Sequence, residues 1–469
     1  MLCATGIWNA SGCAKPCVDD GLLQTYCPEE QAGTDTDASS ASASAADATD
    51  SAADASAGDA GLDGTDSAAD GTAGDSSAGD ASAGDATAGD DSGDDGGEPT
   101  CAGEGGKPFN PEYKFSMIWI ANSPEGTVSK IDTVTAMERS RYRSGPGEPD
   151  PSRTAVNLRG DVAVANRAGS VTKIAGHIAN CVDKNGNGLI ETSLDPSNVL
   201  PWEEDECVLW HHEISDFPAG LPSNQGGPRA VAWEGGVSAC DEPRLWVGWR
   251  AQPDTVVRIA RLDGVTGDVL DEVEVDDWVN VWGHGTYGGV SDVNGGLWAL
   301  GNSGILVHVD GETLDVRRWD NPVEHTLYSL ALDADGVPWL AGWGGNLWRF
   351  DPVAEVFEDM GAPAESARLR GLAVDDEGHA WIAGNNPCRL ARYDTVAQTV
   401  VDGGIALPGC SEPVGVSVDA EGQVWVVDRG ASLAYKIDRN DYSSQTVQGL
   451  ISPYTYSDMT GTGLKLLFK

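Results

Sequence analysis

Residues 371–382 read GLAVDDEGHAWI, and the same arrangement recurs as SLALDADGVPWL at 329–340, GVSVDAEGQVWV at 415–426 and GGVSDVNGGLWA at 288–299. Each copy combines a short strand of alternating apolar residues, a turn that contains Gly, and a second strand with Trp three residues after that Gly. This order is typical of a tight antiparallel hairpin. The sequence therefore predicts that these segments are the first two strands, A and B, of a repeated β unit.

Tryptophan sets the length of the unit. The steps between the last four copies are 41, 42 and 44 residues, which is the length of one four-stranded propeller blade. Across seven units this position holds Trp119, Ala163, Trp246, Trp298, Trp339, Trp381 and Trp425. Third and fourth strands follow each hairpin, as in RLARYD at 389–394 and QTVVDG at 398–403. We therefore predict an all-β fold, a seven-bladed β-propeller of four-stranded blades.

The first unit lacks an innermost strand. Residues 116–132 match residues 162–175 strand for strand, and nothing before them resembles strand A. Near the C-terminus, PYTYSDMTG at 453–461 is a lone segment of the right length. Because an open ring would expose unpaired strand edges, we predict that this segment inserts as strand A of blade 1 and closes the propeller.

Composition divides the chain into three parts. We predict a short Cys-rich segment at 1–32, a disordered acidic tether at 33–107 and the propeller at 108–469. Residues 33–98 are almost wholly Ala, Asp, Gly, Ser and Thr, with too little apolar surface to offset the entropy of ordering. Their seventeen acidic residues, subtracted from a net charge of −45, leave −28 for the rest. This charge argues against nucleic-acid and anionic-membrane partners.

Cysteine use indicates an oxidising compartment. The chain has ten cysteines and no CxxC pair, a pattern that fits disulfides in a secreted or cell-surface protein better than cytosolic thiols. Two disulfides or a zinc site would both fit the four N-terminal cysteines, which are Cys3, Cys13, Cys17 and Cys27. Because no signal peptide or apolar span is visible, we expect the true start to lie upstream.

An insertion at 181–207 interrupts blade 2 between its third and fourth strands. In a propeller, the D-to-A and B-to-C loops lie on one face, the top, and the other loops on the bottom, so the insertion belongs on the bottom face. Cys181 and Cys207 stand at facing ends of neighbouring strands and are predicted to form a disulfide. A second bridge, Cys388–Cys410, is predicted on the top face, and Cys101 is left to pair with Cys240.

The insertion resembles a calcium loop. Asp183, Asn185 and Asn187 place oxygen-bearing side chains at loop positions 1, 3 and 5, and Gly188 follows at position 6. The other predicted ligands are the backbone carbonyl of Leu189, the side chain of Glu191, and Asp205 or Glu206 in place of the Leu194 found at position 12. We therefore expect a structural calcium ion, against the alternative of an Asn/Gly-rich turn that binds nothing.

The top mouth of the channel is the predicted ligand site. Aligning the residue just before each innermost strand gives a ring of Thr154, Arg229, Tyr287, Tyr328, Arg370, Val414 and Tyr456. Trp343, in a top loop, joins them. Tyrosine and arginine side chains that converge on a pocket can stack on, and hydrogen-bond to, a sugar, an aromatic ring or a carboxylate. The alternative is that they fill the channel and satisfy one another.

Two histidines occupy equivalent top-loop positions in blades 4 and 5. His284 and His325 each lie three residues before a ring tyrosine, and Glu324 is the adjacent carboxylate. These three residues are the candidates for acid/base or metal-dependent catalysis.

The repeat GLAVDDEGHAWIAGNNPCRLARYD, at 371–394, resembles the blades of the streptogramin (virginiamycin) B lyase family and of NHL-like secreted propellers, over residues 116–461. The resemblance implies the fold. For lyase chemistry it implies magnesium, a His before the Gly of an innermost strand and a Glu three residues after a blade tryptophan. In this chain the positions before the Gly of an innermost strand hold Tyr287, Arg370 and Val414. The positions three residues after Trp298, Trp339 and Trp381 hold Gly301, Gly342 and Gly384.

Two functions from different classes follow. The favoured one is a secreted or surface-tethered, monomeric, non-enzymatic propeller that binds a small molecule, a glycan or a protein on its top face. The alternative is a lyase or hydrolase that uses the top-face histidines and a divalent metal. A structural role in a surface assembly is the third hypothesis.

Overall fold

A computed structural model describes residues 116–216, 223–235, 243–252, 255–278, 282–323 and 326–468, together with a two-stranded ladder of Val18–Asp19 and Thr25–Tyr26. Apart from that ladder, the predicted segments 1–32 and 33–107 lie outside the described residues, as do Cys101 and Cys240. Within the described part, no helix is both long and apolar enough to cross a membrane.

Seven antiparallel sheets follow one another along the chain, and in each one the strands are paired in sequence order. Blade 1 contains Met117–Asn122, Thr127–Asp132 and Met137–Arg143. Blade 2 contains Pro151–Val156, Val162–Asn166, Ser170–Ile174 and Val208–Glu213. Blade 3 contains Ala230–Trp233, Leu245–Ala251, Val256–Leu262 and Val269–Val275. Blade 4 contains Gly288–Ser291, Leu297–Gly301, Ile305–Val309 and Val316–Asp320. Blade 5 contains Leu327–Leu332, Pro338–Gly342, Leu347–Asp351 and Val356–Asp359. Blade 6 contains Arg368–Val374, His379–Asn385, Arg389–Asp394 and Thr399–Ile405. Blade 7 contains Pro413–Val418, Val424–Asp428, Leu433–Ile437 and Ser444–Val447. The predicted seven-bladed propeller is confirmed.

The aspartate of the repeat holds both the A-to-B turn and the tryptophan in place by hydrogen bonds. In blade 6, one carboxylate oxygen of Asp375 accepts the backbone N–H groups of Glu377 and His379, at 3.0 and 2.8 Å. The other oxygen accepts the indole N–H of Trp381 at 2.8 Å, and Trp381 is fully buried. Gly378 supplies the positive φ of 80° that the turn requires. The indole bond recurs in blades 5 and 7, so the Asp, Gly and Trp of the repeat form one hydrogen-bonded unit.

Blade 4 departs from this rule. Its turn aspartate, Asp292, accepts a hydrogen bond from Nε2 of His308 at 2.8 Å, and Trp298 instead stacks on Trp319 with ring centroids 5.7 Å apart. The two rings line a groove on the outer part of blades 4 and 5. The repeat position therefore still buries an indole here, but by ring packing.

The C-terminal segment 453–461 closes the ring in blade 1. Tyr454 donates its backbone N–H to the carbonyl of Ala121 at 3.0 Å, and the carbonyl of Met459 accepts the N–H of Trp119 at 3.0 Å. On its other side, the hydroxyl of Thr455 lies 3.2 Å from that of Thr154 in blade 2. The segment thus takes the predicted place of strand A, but it pairs through an isolated bridge at Pro453 and not through a continuous ladder.

The last residues cover the bottom of the central channel, which sequence analysis did not anticipate. A short helix, Thr462–Leu466, follows the closing segment, and the carboxylate of Asp458 accepts the N–H of Leu464 at 2.8 Å. Leu464 is buried and, with Gly463, lines a cavity bounded by innermost strands from blades 2 to 7 and by the closing segment. The cavity has a volume of about 60 Å³, enough for a few water molecules.

Candidate functional site

Aromatic and basic side chains meet at the top of the channel, where the innermost strands begin. We call this set the mouth cluster: Arg153, Arg167, Arg229, His284, Tyr287, Tyr328, Trp343, Arg370, Tyr454 and Tyr456. The cluster joins residues from six blades, and its members are buried or half-buried. All six predicted ligand-binding residues belong to it, so the structure brings them together as expected. Whether they bind a ligand stays a prediction.

Four tyrosines form the centre of the cluster. The hydroxyl of Tyr454 lies 3.0 Å from that of Tyr287 and accepts a hydrogen bond from that of Tyr328 at 3.1 Å. The ring of Tyr456 lies 4.7 Å from Tyr328 and 5.6 Å from Tyr287. Burial acts to raise the pKa of Tyr454, but the positive charges of the surrounding arginines outweigh it and lower the pKa. Two of these tyrosines come from the closing segment, so closure of the propeller also builds the site.

Two arginines in the cluster have no carboxylate partner among the described residues. Arg229 is fully buried, its guanidinium lies 5.3 Å from the ring centroid of Tyr287, and no described acceptor reaches any of its three nitrogens. Arg153 is fully buried over the ring of Tyr456, and its Nη2 donates to the backbone carbonyl of Tyr287 at 2.8 Å. Burial lowers the pKa of Arg229, and it lowers the pKa of Arg153 to about 9, which still leaves Arg153 charged at neutral pH.

Three further arginines at the mouth are paired with carboxylates. Arg370 lies 3.0 Å from Glu412, which also lies 3.5 Å from Arg429, and Arg167 pairs with Asp150. With Arg368, which lies beside Trp343, six guanidinium groups and two carboxylates are found among the described residues of the mouth. The described part of the mouth is therefore positively charged, whereas the whole chain carries a net charge of −45.

Trp343 forms the half-buried edge of the cluster. Its indole stacks on Tyr328 with centroids 5.7 Å apart and an interplanar angle of 22°. The guanidinium groups of Arg370 and Arg368 lie 4.7 and 4.9 Å from the indole centroid, within cation–π distance. This arrangement leaves part of a flat aromatic surface exposed beside fixed positive charge.

His284 packs inside the cluster. It is 2% exposed, its Nδ1 lies 2.9 Å from the side-chain amide of Asn302, and its ring lies 5.2 Å from that of Tyr287. Burial, followed by the charge of Arg229, holds the pKa of His284 well below its usual value. At neutral pH this imidazole is neutral. The other two residues of the catalytic hypothesis, His325 and Glu324, lie outside the described residues.

The predicted ring was misaligned in blade 2. The bulged residue at the start of the innermost strand is Tyr328 in blade 5 and Ser152 in blade 2, so Ser152, and not Thr154, is the equivalent of Tyr328. Arg153, the next residue, enters the cluster. Thr154 instead donates its hydroxyl to the carbonyl of Trp119 at 2.9 Å, between blades 1 and 2. Arg167, in a B-to-C loop of blade 2, and Tyr454 were also missed. The alternating tyrosines of PYTY at 453–456 were a signal for Tyr454.

The insertion of blade 2 brings most of the predicted calcium residues together. Asp183 accepts the backbone N–H groups of Gly186, Asn187 and Gly188, at 2.7, 3.2 and 2.8 Å. The side-chain amides of Asn185 and Asn187 lie 3.0 and 2.7 Å from the two carboxylate oxygens of Glu191. Oxygen-bearing side chains at positions 1, 3, 5 and 9 thus share one compact, exposed loop, a donor set suited to calcium.

The two carboxylates at the base of the insertion have other partners. Asp205 accepts hydrogen bonds from Thr192, Ser193 and Cys207 at 2.7–3.0 Å and is 4% exposed. Glu206 accepts the backbone N–H groups of Lys184 and Glu191 at 2.8 and 2.9 Å. Both carboxylates hold the base of the insertion closed, and the side chain of Leu189 is exposed on its surface.

Both predicted disulfides are present. Cys181–Cys207 joins the ends of the insertion, with Cα atoms 4.3 Å apart. Cys388–Cys410 joins a B-to-C loop to a D-to-A loop on the top face, with Cα atoms 6.1 Å apart. The first bridge closes the insertion and the second ties two top loops of blade 6 together.

Comparisons with known proteins found similar solved structures but no matching family. No protein-family model matches the sequence, and no curated protein matches it. Among solved structures, the chain is similar to virginiamycin B lyase from Staphylococcus aureus, at 12% identity over 68% of this chain and 94% of the other, with a TM-score of 0.48. It is also similar to a streptogramin B lyase at 14% identity, over 69% of this chain and 94% of the other, with a TM-score of 0.47. A third similar structure is the Pan2 WD40 domain of Neurospora crassa, at 12% identity over 68% of this chain and 84% of the other, with a TM-score of 0.47. The suspected lyase-like propellers are thus among the proteins this chain is similar to, with identities that speak to the fold alone.

Proposed function

We propose that this protein is a non-enzymatic binding module, secreted or tethered to the cell surface, whose ligand site is the mouth cluster. The observation that carries the proposal is the convergence of side chains from six blades on one aromatic, positively charged mouth. Buried tyrosines and arginines are held in fixed positions, which lowers the entropy cost of binding. His284 is buried, packs against Tyr287 and lies 2.9 Å from the side-chain amide of Asn302, so its contacts fit a structural place within the cluster.

Mutation of Trp343 tests the proposal. The full chain is screened against neutral monosaccharides, aromatic alcohols and aromatic carboxylates, and the dissociation constant of each bound compound is measured by calorimetry. Because Trp343 is the half-exposed aromatic side chain at the edge of the mouth cluster, Trp343→Ala is expected to weaken binding about tenfold or more.

Trp319 provides the matched control. It is another half-buried tryptophan, but it lies on the outermost strand of blade 4, away from the mouth. Trp319→Ala is expected to leave the affinity unchanged. Equal losses in the two variants, or none in Trp343→Ala, would place the binding site elsewhere.

We also propose that the insertion of blade 2 holds a structural calcium ion, with Asp183, Asn185, Asn187 and Glu191 as side-chain ligands and Leu189 as a carbonyl ligand. The compact loop geometry and the oxygen donor set support this proposal. Asp205 would join only by giving up bonds that close the base of the insertion.

Calcium titration of the full chain tests the metal site. Wild type is expected to bind one calcium ion with a dissociation constant on the order of 10⁻⁴–10⁻³ M, as extracellular calcium modules do, and to resist proteolysis within the insertion when calcium is present. Asp183→Ala is expected to lose both effects, whereas Asp195→Ala, a change to another exposed aspartate of the insertion, keeps them. An absence of calcium binding in wild type rejects this proposal.

A further inference from the structure

We propose that the ligand of the mouth cluster carries an oxyanion, a carboxylate or a phosphate-like group, which Arg229 and Arg153 bind. This inference rests on the proposed function and names the chemical class of its ligand. It assigns to two buried arginines a counter-ion that the described part of the protein does not supply.

Arg229 is the residue that requires this explanation. Buried charged side chains in proteins are paired, because an uncompensated charge in a low-dielectric interior costs several kcal/mol. Other buried arginines of this protein follow the rule: Arg141 binds Glu138, Arg261 binds Asp271, and Arg370 binds Glu412. Arg229 is 0% exposed, yet within the described ranges none of its three guanidinium nitrogens has an acceptor.

Two groups near Arg229 are in the same situation. The Nε of Arg153 and the hydroxyl of Tyr456 are also buried and lack a hydrogen-bond partner in the described structure. Both arginines lie near the ring of Tyr287, whose centroid is 4.9 Å from the guanidinium of Arg153 and 5.3 Å from that of Arg229. One oxyanion placed there would satisfy several buried donors at once, because its oxygens match the planar guanidinium fork.

The channel contains space directly below the mouth cluster. Tyr456 lines the cavity of about 60 Å³, together with residues that follow directly after Tyr287 and Tyr328 in the innermost strands, whereas Arg229 and Arg153 do not line it. Tyr456 is therefore the member of the cluster that connects the arginines with this space. The flat face of Trp343 at the rim would then contact the rest of the ligand, so that the anionic group points inward.

An internal counter-charge is the competing explanation. Tyr454 accepts a hydrogen bond from Tyr328 and sits among the arginines, so its phenolate would neutralise part of their charge. Asp254 and Glu324, which are outside the described residues, are the other candidates in the adjoining sequence. Each alternative predicts that added oxyanions have no specific effect.

Thermal melting of the full chain tests the inference, with sodium acetate, sodium phosphate and sodium sulfate compared with sodium chloride at equal ionic strength. Wild type is expected to be stabilised by at least one oxyanion in a saturable way, and the ranking of acetate against phosphate identifies the group. Arg229→Met is expected to weaken this binding about ten- to a hundredfold, and Arg229→Lys by less. Because Arg229→Met removes an unpaired buried charge, we expect it to fold.

Arg261→Met is the control, because Arg261 is a buried arginine of the same blade with its own acidic partners. It is expected to melt earlier and to keep the full oxyanion effect. The non-saturable stabilisation by sulfate and phosphate that remains in Arg229→Met is the general salt effect and is subtracted from the wild-type value. The inference is overturned if no oxyanion exceeds chloride, if the effect persists in Arg229→Met, or if ultraviolet absorbance shows a tyrosinate at neutral pH. Binding of a neutral sugar that depends on Trp343 but not on Arg229 would overturn it and leave the proposed function intact.

Discussion

A chain that ends at Ser452 is expected not to fold into a propeller. The missing residues supply the innermost segment of blade 1, whose backbone bonds to Ala121 and Trp119 would be lost. Neighbouring innermost strands of blades 2 and 7 would also lose their contacts with Thr455 and Thr460. Since each blade buries its faces against the next, an open ring exposes apolar surface and strand edges together.

Circular dichroism and urea unfolding measure this effect. The truncated chain is expected to show no cooperative transition, while a chain that ends at Gly461 keeps the closing segment, loses only the short helix and unfolds cooperatively at lower urea. A truncation at Ser452 that unfolds like the full chain would contradict closure by residues 453–461.

Trp381→Ala is expected to lower the free energy of unfolding by about 3–5 kcal/mol, the usual cost of emptying a fully buried aromatic site. Its indole packs within the core shared by blades 6 and 7, and Asp375 loses the Nε1 donor when the indole is removed. Trp381→Phe keeps most of the volume and removes the hydrogen bond, which leaves a buried carboxylate oxygen unpaired at a cost of about 1–3 kcal/mol.

Blade 4 supplies the comparison. Trp298→Phe breaks no bond to an aspartate, because Asp292 is bound by His308 there. Chemical denaturation of the two phenylalanine variants is therefore expected to show the larger loss of stability for Trp381→Phe. If the two losses are equal, the aspartate–indole bond is not what fixes the repeat.

The fold could be predicted because its cause is local and repeated. Each Asp-Gly turn and each tryptophan appear at a fixed spacing, and the same hydrogen bonds form in blades 5, 6 and 7. Both propeller disulfides could be predicted for the same reason, since blade geometry places the strand ends that carry them. The helix Thr462–Leu466 could not, because five residues after a closing strand carry no periodicity to detect.

The mouth could be predicted only in part. Repeat alignment located three of its four tyrosines and two of its arginines, but it placed Thr154 where the structure has Ser152. Ser152 lies eight residues before the turn glycine Gly160, as Tyr328 does before Gly336, so this spacing was the signal for the correct register. Burial and pairing are properties of the assembled ring. Residue types therefore could not show that Arg370 is paired with Glu412. Nor could they show that the guanidinium of Arg229 has no partner among the described residues.

The central claim is that the mouth cluster is a binding site whose buried arginines bind an oxyanion. The most direct measurement is a crystal structure of the full chain after soaking in sodium selenate. Selenium scatters anomalously, so its position is seen without assumptions about the ligand. We predict an anomalous peak within hydrogen-bond distance of the guanidinium groups of Arg229 and Arg153. Peaks confined to exposed lysines and arginines on the outer surface, with none at the mouth, would contradict the account.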